Sequence, residues 1–360
     1  MLKIEKVLIE EKKINKSKVL DEVLNLMKKN NINGNDMLPK NSWYDVSFEL
    51  HNSHTGFANG IYRVLVEELL TICISVEEKS IITDDKFLGD ALDGLIKNLN
   101  LLPIRQELLD SDKTDKLDIY LHKYNDTNDI IDITIDDFKI KDGSGKSINI
   151  EEVFPETNII VIRLRPGRYI KINNIFFERG YSKNNAAKFS LLNNVTYYPT
   201  DITPFNIYEK DEKKRGTRSA DHNSSSFFIK FTTCGNIKPK TVINRMIDSI
   251  SENLNIVKSR IEKYNKSEDI KKYFSDEGIE VFNKNDVIHY VFSGQYLTIM
   301  NMISQRCYML DNTIPFVTGG VERFDTNIGI IKIMHADPNN LLLQAIESCF
   351  KDLEIIKKAF

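Results

Sequence analysis

A strand–turn–helix–strand pattern occurs near both ends of this 360-residue chain and limits the folds that are open to it. In the first unit, apolar residues alternate over 46–50 and a polar turn follows over 52–56. The next residues have apolar side chains at helical spacing, and residues 71–76 alternate again. Alternation is typical of a half-buried strand, and helical spacing is typical of an amphipathic helix, so the unit predicts a small α+β module.

The second unit repeats this order near the C-terminus. Residues 287–292 are strand-like, a turn over 293–295 leads into a helix, and residues 327–334 form another predicted strand. Asp337 and Pro338 favour the start of a last helix, because Asp is a good N-cap and Pro suits the first helical position. Such units are common in α+β proteins, so the pattern alone leaves open whether the repeat is meaningful or a coincidence.

Four predicted helices have an apolar stripe several turns long, and each must bury that stripe against another element. In chain order, the stripes comprise Phe57, Ile61, Val64, Leu65 and Leu69; Ile243, Met246, Ile250, Leu254, Val257 and Ile261; Tyr296, Ile299, Ile303 and Leu310; and Leu342, Ala345, Ile346, Cys349, Leu353 and Ile356. A small sheet covers only one side of each helix, so we expect the stripes of the two units to pack together.

The rest of the chain predicts further mixed structure. Residues 17–30 and 84–104 have helical spacing, whereas 3–14, 118–122, 130–140, 159–164, 169–177 and 226–232 are strand-like. The charged stretch 208–223 predicts a loop, and the polar stretch 263–276 predicts a linker.

The composition argues against several functional classes. Hydrophobic residues make up 41% and charged residues 28% of the chain, as in an ordinary globular protein, and the net charge is −3. Proteins that hold nucleic acid mainly through phosphates are usually basic, so this balance argues against that main task, though not against a local basic patch. No apolar run reaches the roughly 18–20 residues of a membrane span. With no signal-peptide core either, we expect an intracellular protein.

The first unit resembles a known family when its residues are compared one by one. Its helix reads Phe57-Ala58-Asn59-Gly60-Ile61-Tyr62-Arg63-Val64-Leu65. In the alpha subunits of cellular RNA polymerases, a strand and a polar turn lead into a similar helix, roughly L-A-N-x-L-R-R-V-hydrophobic. The Ala-Asn pair, the second Arg and the Val are kept, and Tyr62 stands in place of the first Arg.

The second unit is similar to the smaller alpha-like partner of that family, through element order and length more than through motif. Of the family's D-H-T-L-G-N-L-L motif, the run Gln295-Tyr296-Leu297-Thr298 keeps only the Leu and the framework. The turn Gly235-Asn236-Ile237-Lys238-Pro239 matches the family's Gly-x-h-x-Pro turn (h apolar) before its closing helix. A chain that joins both halves resembles the fused subunit of large cytoplasmic DNA viruses, which encode their own polymerase.

The resemblance implies an α+β fold with two alpha-like dimerisation modules paired about a pseudo-two-fold axis, and a mixed α/β domain inserted into the first. The implied boundaries are 1–80 with 225–265 for the first module, 81–224 for the inserted domain, 266–277 for a linker and 278–360 for the second module. The implied dimerisation core comprises Phe57, Ile61, Val64, Leu65, Ile250, Leu254, Val257, Tyr296, Ile299, Ile303, Leu342, Ile346 and Leu353. A viral source would imply location in the host cytoplasm and in the virion.

The resemblance also implies a non-catalytic assembly subunit of a DNA-directed RNA polymerase. Its partners would be the two largest polymerase subunits and small polymerase subunits, with DNA reached only through the complex and no homo-oligomer. Asn59 and Arg63 are the implied docking residues, because the family's matching Arg touches the second-largest subunit. For Arg63 the alternative is a surface ion pair with Glu67 at helical spacing.

Few residue patterns indicate catalysis. Residues 142–147 (Asp-Gly-Ser-Gly-Lys-Ser) end like a phosphate-binding loop, but Ile140 stands where the motif needs its first Gly. No convincing helix follows, so we expect a turn between strands. No Ser/His/Asp or Cys/His set converges.

Metal ligands are also lacking at suitable spacing. His51 and His54 have no further ligands near them, and the four separated cysteines include no C-x-x-C pair. The adjacent acidic pairs Asp84-Asp85 and Asp136-Asp137 are expected to be solvated. We therefore expect no metal and no cofactor.

Two other functions stay open: a stand-alone nucleotide-binding enzyme that uses the 142–147 turn, and an unrelated binding protein made of two similar domains. The absence of a convergent catalytic set counts against the enzyme. Purification distinguishes these functions, since an assembly subunit should copurify with two very large polypeptides and an enzyme should act alone.

Overall fold

The computed structural model describes residues 2–12, 18–29, 43–111, 114–200, 224–233, 235–265, 278–294, 297–321 and 328–360. The predicted loop over 208–223 and the predicted linker over 266–277 lie outside these residues, as do Tyr296 and Cys234. Residues 263–265, where the polar stretch that predicts a linker begins, instead belong to the helix Pro239–Asn265. Within the described residues the fold is α+β, as predicted, with several sheets whose strand pairs are all antiparallel.

The strands of the described residues are, in chain order, β1 (Lys3–Lys12), β2 (Trp43–His51), β3 (Leu70–Ser75), β4 (Ile81–Thr83), β5 (Asp118–Tyr124), β6 (Ile131–Thr134), β7 (Lys139–Lys141), β8 (Ser147–Ile148), β9 (Ile160–Leu164), β10 (Tyr169–Tyr181), β11 (Leu192–Pro199), β12 (Ser226–Thr233), β13 (Ile279–Lys284), β14 (Val287–Ser293), β15 (Phe316–Val321) and β16 (Ile328–Met334). The α-helices are α1 (Lys18–Lys29), α2 (Thr55–Arg63), α3 (Lys86–Asp90), α4 (Leu92–Asn100), α5 (Ala186–Phe189), α6 (Pro239–Asn265), α7 (Leu297–Leu310) and α8 (Pro338–Ala359). One π-helical turn, Val64–Glu68, continues α2.

Two four-stranded sheets have the same plan. The strand order is β1-β2-β12-β11 in the first sheet and β13-β14-β16-β15 in the second. In each, one central strand leads into a helix, β2 into α2 and β14 into α7. The other central strand leads into a longer helix, β12 into α6 and β16 into α8.

Alternating apolar side chains explain which face of each sheet is covered. Val46, Phe48 and Leu50 of β2 are fully buried, and Ile331 and Ile333 of β16 are buried in the same way. Side chains at every second position of a strand point to one face. Each sheet therefore has one apolar face, on which its helices pack.

The helices of the two sheets meet directly. α2 contacts α7, α6 contacts α8, and α7 also contacts α8. One continuous hydrophobic core includes buried side chains from both sheets and from all four helices. Every stripe residue that the structure describes is buried except Leu310, at the end of α7, which is 44% exposed. For these buried residues, the expectation that the apolar stripes pack together is confirmed.

A third sheet has a separate core. Its strand order is β3-β10-β5-β7-β8, with β4 also paired to β10, and β6 pairs with β9 beside it. The buried residues of this region, among them Ile72, Leu121 and Ile172, form a second cluster. This region occupies the chain between α2 and β11.

Three sequence predictions need correction. The helix over 84–104 is divided into α3 and α4 at Ala91, since Gly89 and Gly94 on either side disfavour a continuous helix. The strand over 130–140 is interrupted at Ile135–Asp137 by a 3-10 turn, which Thr134 and Asp137 cap reciprocally.

The third correction concerns Asp85, which is not solvated but only 1% exposed. Its carboxylate accepts from the Phe87 amide at 3.1 Å at the start of α3, and it also pairs with Arg165. Arg165 and the backbone amide together lower the pKa of Asp85, with the Arg165 hydrogen bond as the main cause. A buried carboxylate is retained here because it is both paired and used as a cap.

Candidate functional site

The turn before α2 is fixed by a histidine cap. His54 has an extended backbone, and its Nδ1 accepts a hydrogen bond from the Phe57 amide at 3.2 Å. The first amides of a helix have no partner within the helix, so a side-chain acceptor at this position satisfies one of them. The strand β2 ends just before this turn, which places the start of α2 at the edge of the shared core.

The start of α2 lies against α7. The Gly56 amide donates to Gln305 Oε1 at 2.5 Å, and Gln305 Oε1 also lies 3.4 Å from His54 Nδ1. A Cβ atom added at Gly56 would be 2.8 Å from the backbone oxygen of Asn301, closer than real Cβ contacts allow. Glycine at this position therefore permits the close approach of the two helices.

A buried ion pair joins α7 to α8 at the same place. Arg306 Nη2 bonds the carboxylate of Asp352, and the two side chains are only 6% and 5% exposed. The guanidinium carbon of Arg306 is also 5.9 Å from the centroid of the Phe57 ring on α2. We call His54, Gly56, Gln305, Arg306 and Asp352 the interface cluster.

The interface cluster contains a histidine with a lowered pKa and buried polar atoms without hydrogen-bond partners. Burial, together with the nearby charge of Arg306, lowers the pKa of His54 from 6.5 to about 3, so this ring is neutral at physiological pH. His54 Nε2 and Arg306 Nε are buried without a hydrogen-bond partner, as is Ser53 Oγ in the same turn. An unsatisfied buried polar group costs about 1–3 kcal/mol. The unsatisfied atoms therefore reduce stability, whereas the hydrogen bonds and the ion pair of the cluster restrict the geometry of the helices.

The predicted dimerisation residues lie together. Those within the described residues are at most 3% exposed and belong to the one shared core: Phe57, Ile61, Val64, Leu65, Ile250, Leu254, Val257, Ile299, Ile303, Leu342, Ile346 and Leu353. Tyr296 lies outside the described residues. Their burial is an observation, whereas their role in dimerisation stays a prediction.

The predicted docking residues lie one turn apart on α2. Asn59 and Arg63 are half-buried, and Arg63 Nη2 is 3.2 Å from Glu67 Oε2, which is the ion pair that the alternative interpretation expects. Arg63 Nε is buried without a hydrogen-bond partner. Beside them, the rings of Tyr62 and Tyr197 are 5.0 Å apart. The pair with Glu67 occupies only one edge of the guanidinium, and a docking role stays a prediction.

The 142–147 stretch is a turn between β7 and β8, as predicted. Asp142 Oδ1 accepts from the amides of Ser144 and Lys146 at 2.9 and 3.0 Å and from Ser144 Oγ at 2.6 Å. A phosphate-binding loop offers such amides to an anion. Here a carboxylate already occupies them, and its charge would repel a phosphate.

In the described part of the chain, no group of three or more His, Cys, Asp or Glu side chains could hold a metal ion. Cys73, Cys307 and Cys349 are buried free thiols, and burial raises their pKa values to about 11, 12 and 12. Thiols of this kind are poor nucleophiles at neutral pH. No helix within the described residues has the length and apolar character needed to cross a membrane.

Sequence reasoning missed three residues of the interface cluster. Gln305, Arg306 and Asp352 are polar residues inside the apolar surfaces of α7 and α8. The sequence did contain a signal for Asp352, which lies one helical turn from Cys349 and Ile356 on the apolar stripe of α8. A carboxylate on a buried stripe requires a charged or hydrogen-bonding partner.

Comparison with known proteins assigns no family to this chain. No model of a known protein family matches it, and no curated protein matches it significantly.

Proposed function

We propose that this chain is the non-catalytic assembly platform of a multisubunit DNA-directed RNA polymerase. Its two alpha-like halves pair intramolecularly, and the pair docks the two large catalytic subunits. The single observation that carries this proposal is the helix pairing: α2 of the first half contacts α7 of the second, and α6 contacts α8.

The matched order of elements supports a pseudo-two-fold relation between the halves. The edge strand, the two central strands and the other edge strand occur as β1, β2, β12 and β11 in the first half. They occur as β13, β14, β16 and β15 in the second. The helices α2 and α7 follow equivalent strands, as do α6 and α8, and each helix contacts its own counterpart.

The same correspondence supports an inserted domain in the first half. Residues 311–315 alone join α7 to β15, whereas the equivalent connection from α2 to β11 includes the third sheet and its separate core. Because β3 belongs to that sheet and β11 belongs to the first sheet, the correspondence favours an insert that begins near residue 70 and ends before β11, rather than one over 81–224.

Fusion of the halves has a physical consequence. Tethering two binding modules makes their association intramolecular and raises the effective concentration of each for the other. A platform that forms within one chain needs no separate dimerisation step before the large subunits dock. The half-buried face of α2 with Asn59, Tyr62 and Arg63 is the surface that we propose for the second-largest subunit.

Affinity purification from the native source tests the proposal. A tagged chain should recover two very large polypeptides in equimolar amounts, identified by mass spectrometry, and the complex should synthesise RNA on a DNA template. Recovery of the tagged chain alone, with a catalytic activity of its own, would favour the enzyme.

The alternative nucleotide-binding enzyme has a direct test of its own. Lys146→Ala removes the basic residue of the 142–147 turn, whose side chain is exposed. On the assembly account, the variant keeps the melting temperature and the recovery of large subunits. ATP binding by the wild type that is lost in this variant would support the enzyme instead.

A further inference from the structure

The sheet with the separate core has one face that its own core does not use. Ile119 and Leu121 of β5, Ile140 of β7, and Ile170 and Ile172 of β10 are buried in the second core. Neighbouring positions of a strand point to opposite faces. The other face therefore carries Asp118, Tyr120, His122, Tyr124, Lys139, Lys141, Tyr169, Lys171 and Asn173, and we call it the outer sheet face.

Aromatic and basic side chains lie side by side on the outer sheet face. Tyr169 lies opposite Tyr124, and Lys171 lies opposite His122. Lys139 lies opposite Tyr120, and Lys141 lies opposite Asp118. The register thus places Lys171 opposite an exposed ring and Lys139 opposite a half-buried ring.

Contacts between these side chains agree with this register. Lys141 Nζ is 5.3 Å from the Tyr120 ring centroid, and Lys171 Nζ is 5.8 Å from that of Tyr169. The Tyr120 and His122 rings are 5.3 Å apart, and Tyr124 is 58% exposed. The ammonium groups of Lys141 and Lys171 therefore lie over the half-buried Tyr120 and Tyr169 rings, whereas the His122 and Tyr124 rings are exposed. We call these four rings the aromatic platform.

The outer sheet face is also concave at one point. A depression of about 620 Å³ is lined by Asp118, Tyr120, His122, Lys141, Asn173 and Asn174. His122 Nε2 and Asn173 Oδ1 lie 2.6 Å apart there. Hydrogen-bonding groups therefore converge beside the aromatic platform.

We infer that the outer sheet face binds single-stranded RNA. Bases stack on exposed aromatic rings of a sheet, and lysines contact the phosphates between them. Charge complementarity favours a polyanion, since Lys139, Lys141 and Lys171 share the face with a single carboxylate. Asp118 would repel phosphate, but it accepts a hydrogen bond from a 2′-hydroxyl, which DNA lacks. A duplex keeps its bases stacked internally and cannot use the platform.

The chain's overall charge of −3 does not oppose this local site. Three phosphate contacts with a single strand give a slope of log affinity against log salt of about −2. The affinity should therefore fall about 20-fold between about 50 and about 200 mM salt. The inference stands independently of the proposed assembly role, because it concerns a different region of the chain.

The test is fluorescence anisotropy of the purified full chain with a labelled oligouridylate of about 12 nucleotides. Lys139→Ala/Lys171→Ala should weaken binding and reduce the salt slope to about −0.7, since one phosphate contact remains. The control Lys284→Ala/Lys351→Ala removes two exposed lysines of other elements and the same charge. This control should retain the wild-type affinity and slope.

Separate variants test the contribution of the aromatic side chains to RNA binding. Tyr124→Ala should weaken RNA binding by about 5-fold or more, which is the lower range for loss of one stacked base. Tyr198→Ala, which removes a ring that is 51% exposed on β11, should leave binding unchanged. Thermal melting checks that each variant is folded.

The outcomes separate RNA from other occupants. Single-stranded RNA should bind more tightly than single-stranded DNA of the same sequence and than duplex RNA. Absence of RNA binding at low salt, as expected if the face takes a polypeptide, would overturn the inference. Equal effects in the target and control variants, or DNA binding as tight as RNA binding, would also overturn it.

Discussion

The backbone amide of Gly56 donates a hydrogen bond to Gln305 Oε1 at 2.5 Å, across 249 residues of chain. This bond joins the start of α2 to the middle of α7, where two helices from different sheets approach closely. An amide buried at this point has few other acceptors, because the first amides of a helix lack partners within the helix. The contact therefore specifies how the two halves fit together.

Gln305→Ala should lower the free energy of unfolding by about 1–3 kcal/mol, because the Gly56 amide loses its acceptor while it stays buried. Urea denaturation of the full chain measures this change. Gln344→Ala on the exposed side of α8 is the matched control and should change stability by less than about 0.5 kcal/mol. Equal unfolding free energies of the two variants would show that the interhelix hydrogen bond does not contribute to stability.

The close approach of α2 and α7 predicts different effects at two glycines. Gly56→Ala should destabilise the protein by about 1–3 kcal/mol, since its new Cβ meets backbone that must shift. Gly60→Ala meets the flexible end of Met302 at 2.5 Å, which can move aside, so it should be tolerated. Thermal melts of both variants measure the difference, and a larger loss at Gly60 would contradict the helix geometry.

His54 predicts that stability falls in mild acid. Its pKa is about 3 when folded and near 6.5 when unfolded, so between these values the unfolded chain binds the extra proton. The contribution of His54 is fully present above about pH 6.5 and is lost progressively as the pH falls towards 3. Unfolding free energy should drop by about 2 kcal/mol from about pH 7.5 to about pH 5 through this group.

His54→Asn separates this effect from other titrations. Asn is a good N-cap and does not titrate, so the variant should keep the capping acceptor and lose that part of the pH dependence. Urea titrations at both pH values compare the two proteins. A variant with the same pH dependence as the wild type would exclude His54 as the source.

Arg63→Ala should affect docking more than folding. Its ion pair with Glu67 is partly exposed, and such helix pairs contribute about 0.3–0.5 kcal/mol, so the melting temperature should be nearly unchanged. Capture of the second-largest polymerase subunit should weaken. Arg163→Ala, which removes an exposed arginine paired with Asp132, is the control and should retain capture. A large loss of stability with capture intact would assign Arg63 a structural role.

Periodicity allowed much of the fold to be predicted from the sequence. The stripes that include Phe57, Ile250 and Leu342 are buried, because long amphipathic helices have no stable alternative to burial. The predicted cap and first residue of α8 are also confirmed, since Asp337 accepts from the Asn340 amide at 3.3 Å. Local chemistry determines such features within a few residues of chain.

The interface cluster could not be predicted in the same way. Whether Arg306 is exposed or buried depends on Asp352 and Phe57, which lie on other helices and far away in the chain. The burial of Asp85 depends likewise on Arg165, which approaches it only in the folded sheet. Pairings of this kind are set by tertiary packing, and one sequence gives no register between distant elements.

Cutting the chain between residues 268 and 269, which lie outside the described residues, tests the pairing of the two halves most directly. Residues 1–268 and 269–360 share one hydrophobic core, so the cut should remove chiefly the advantage of tethering. Co-expressed as separate chains, the fragments should copurify as a one-to-one complex by size-exclusion chromatography with light scattering, and each alone should aggregate or self-associate. Two monomeric, folded fragments that do not bind each other would contradict the paired-half account.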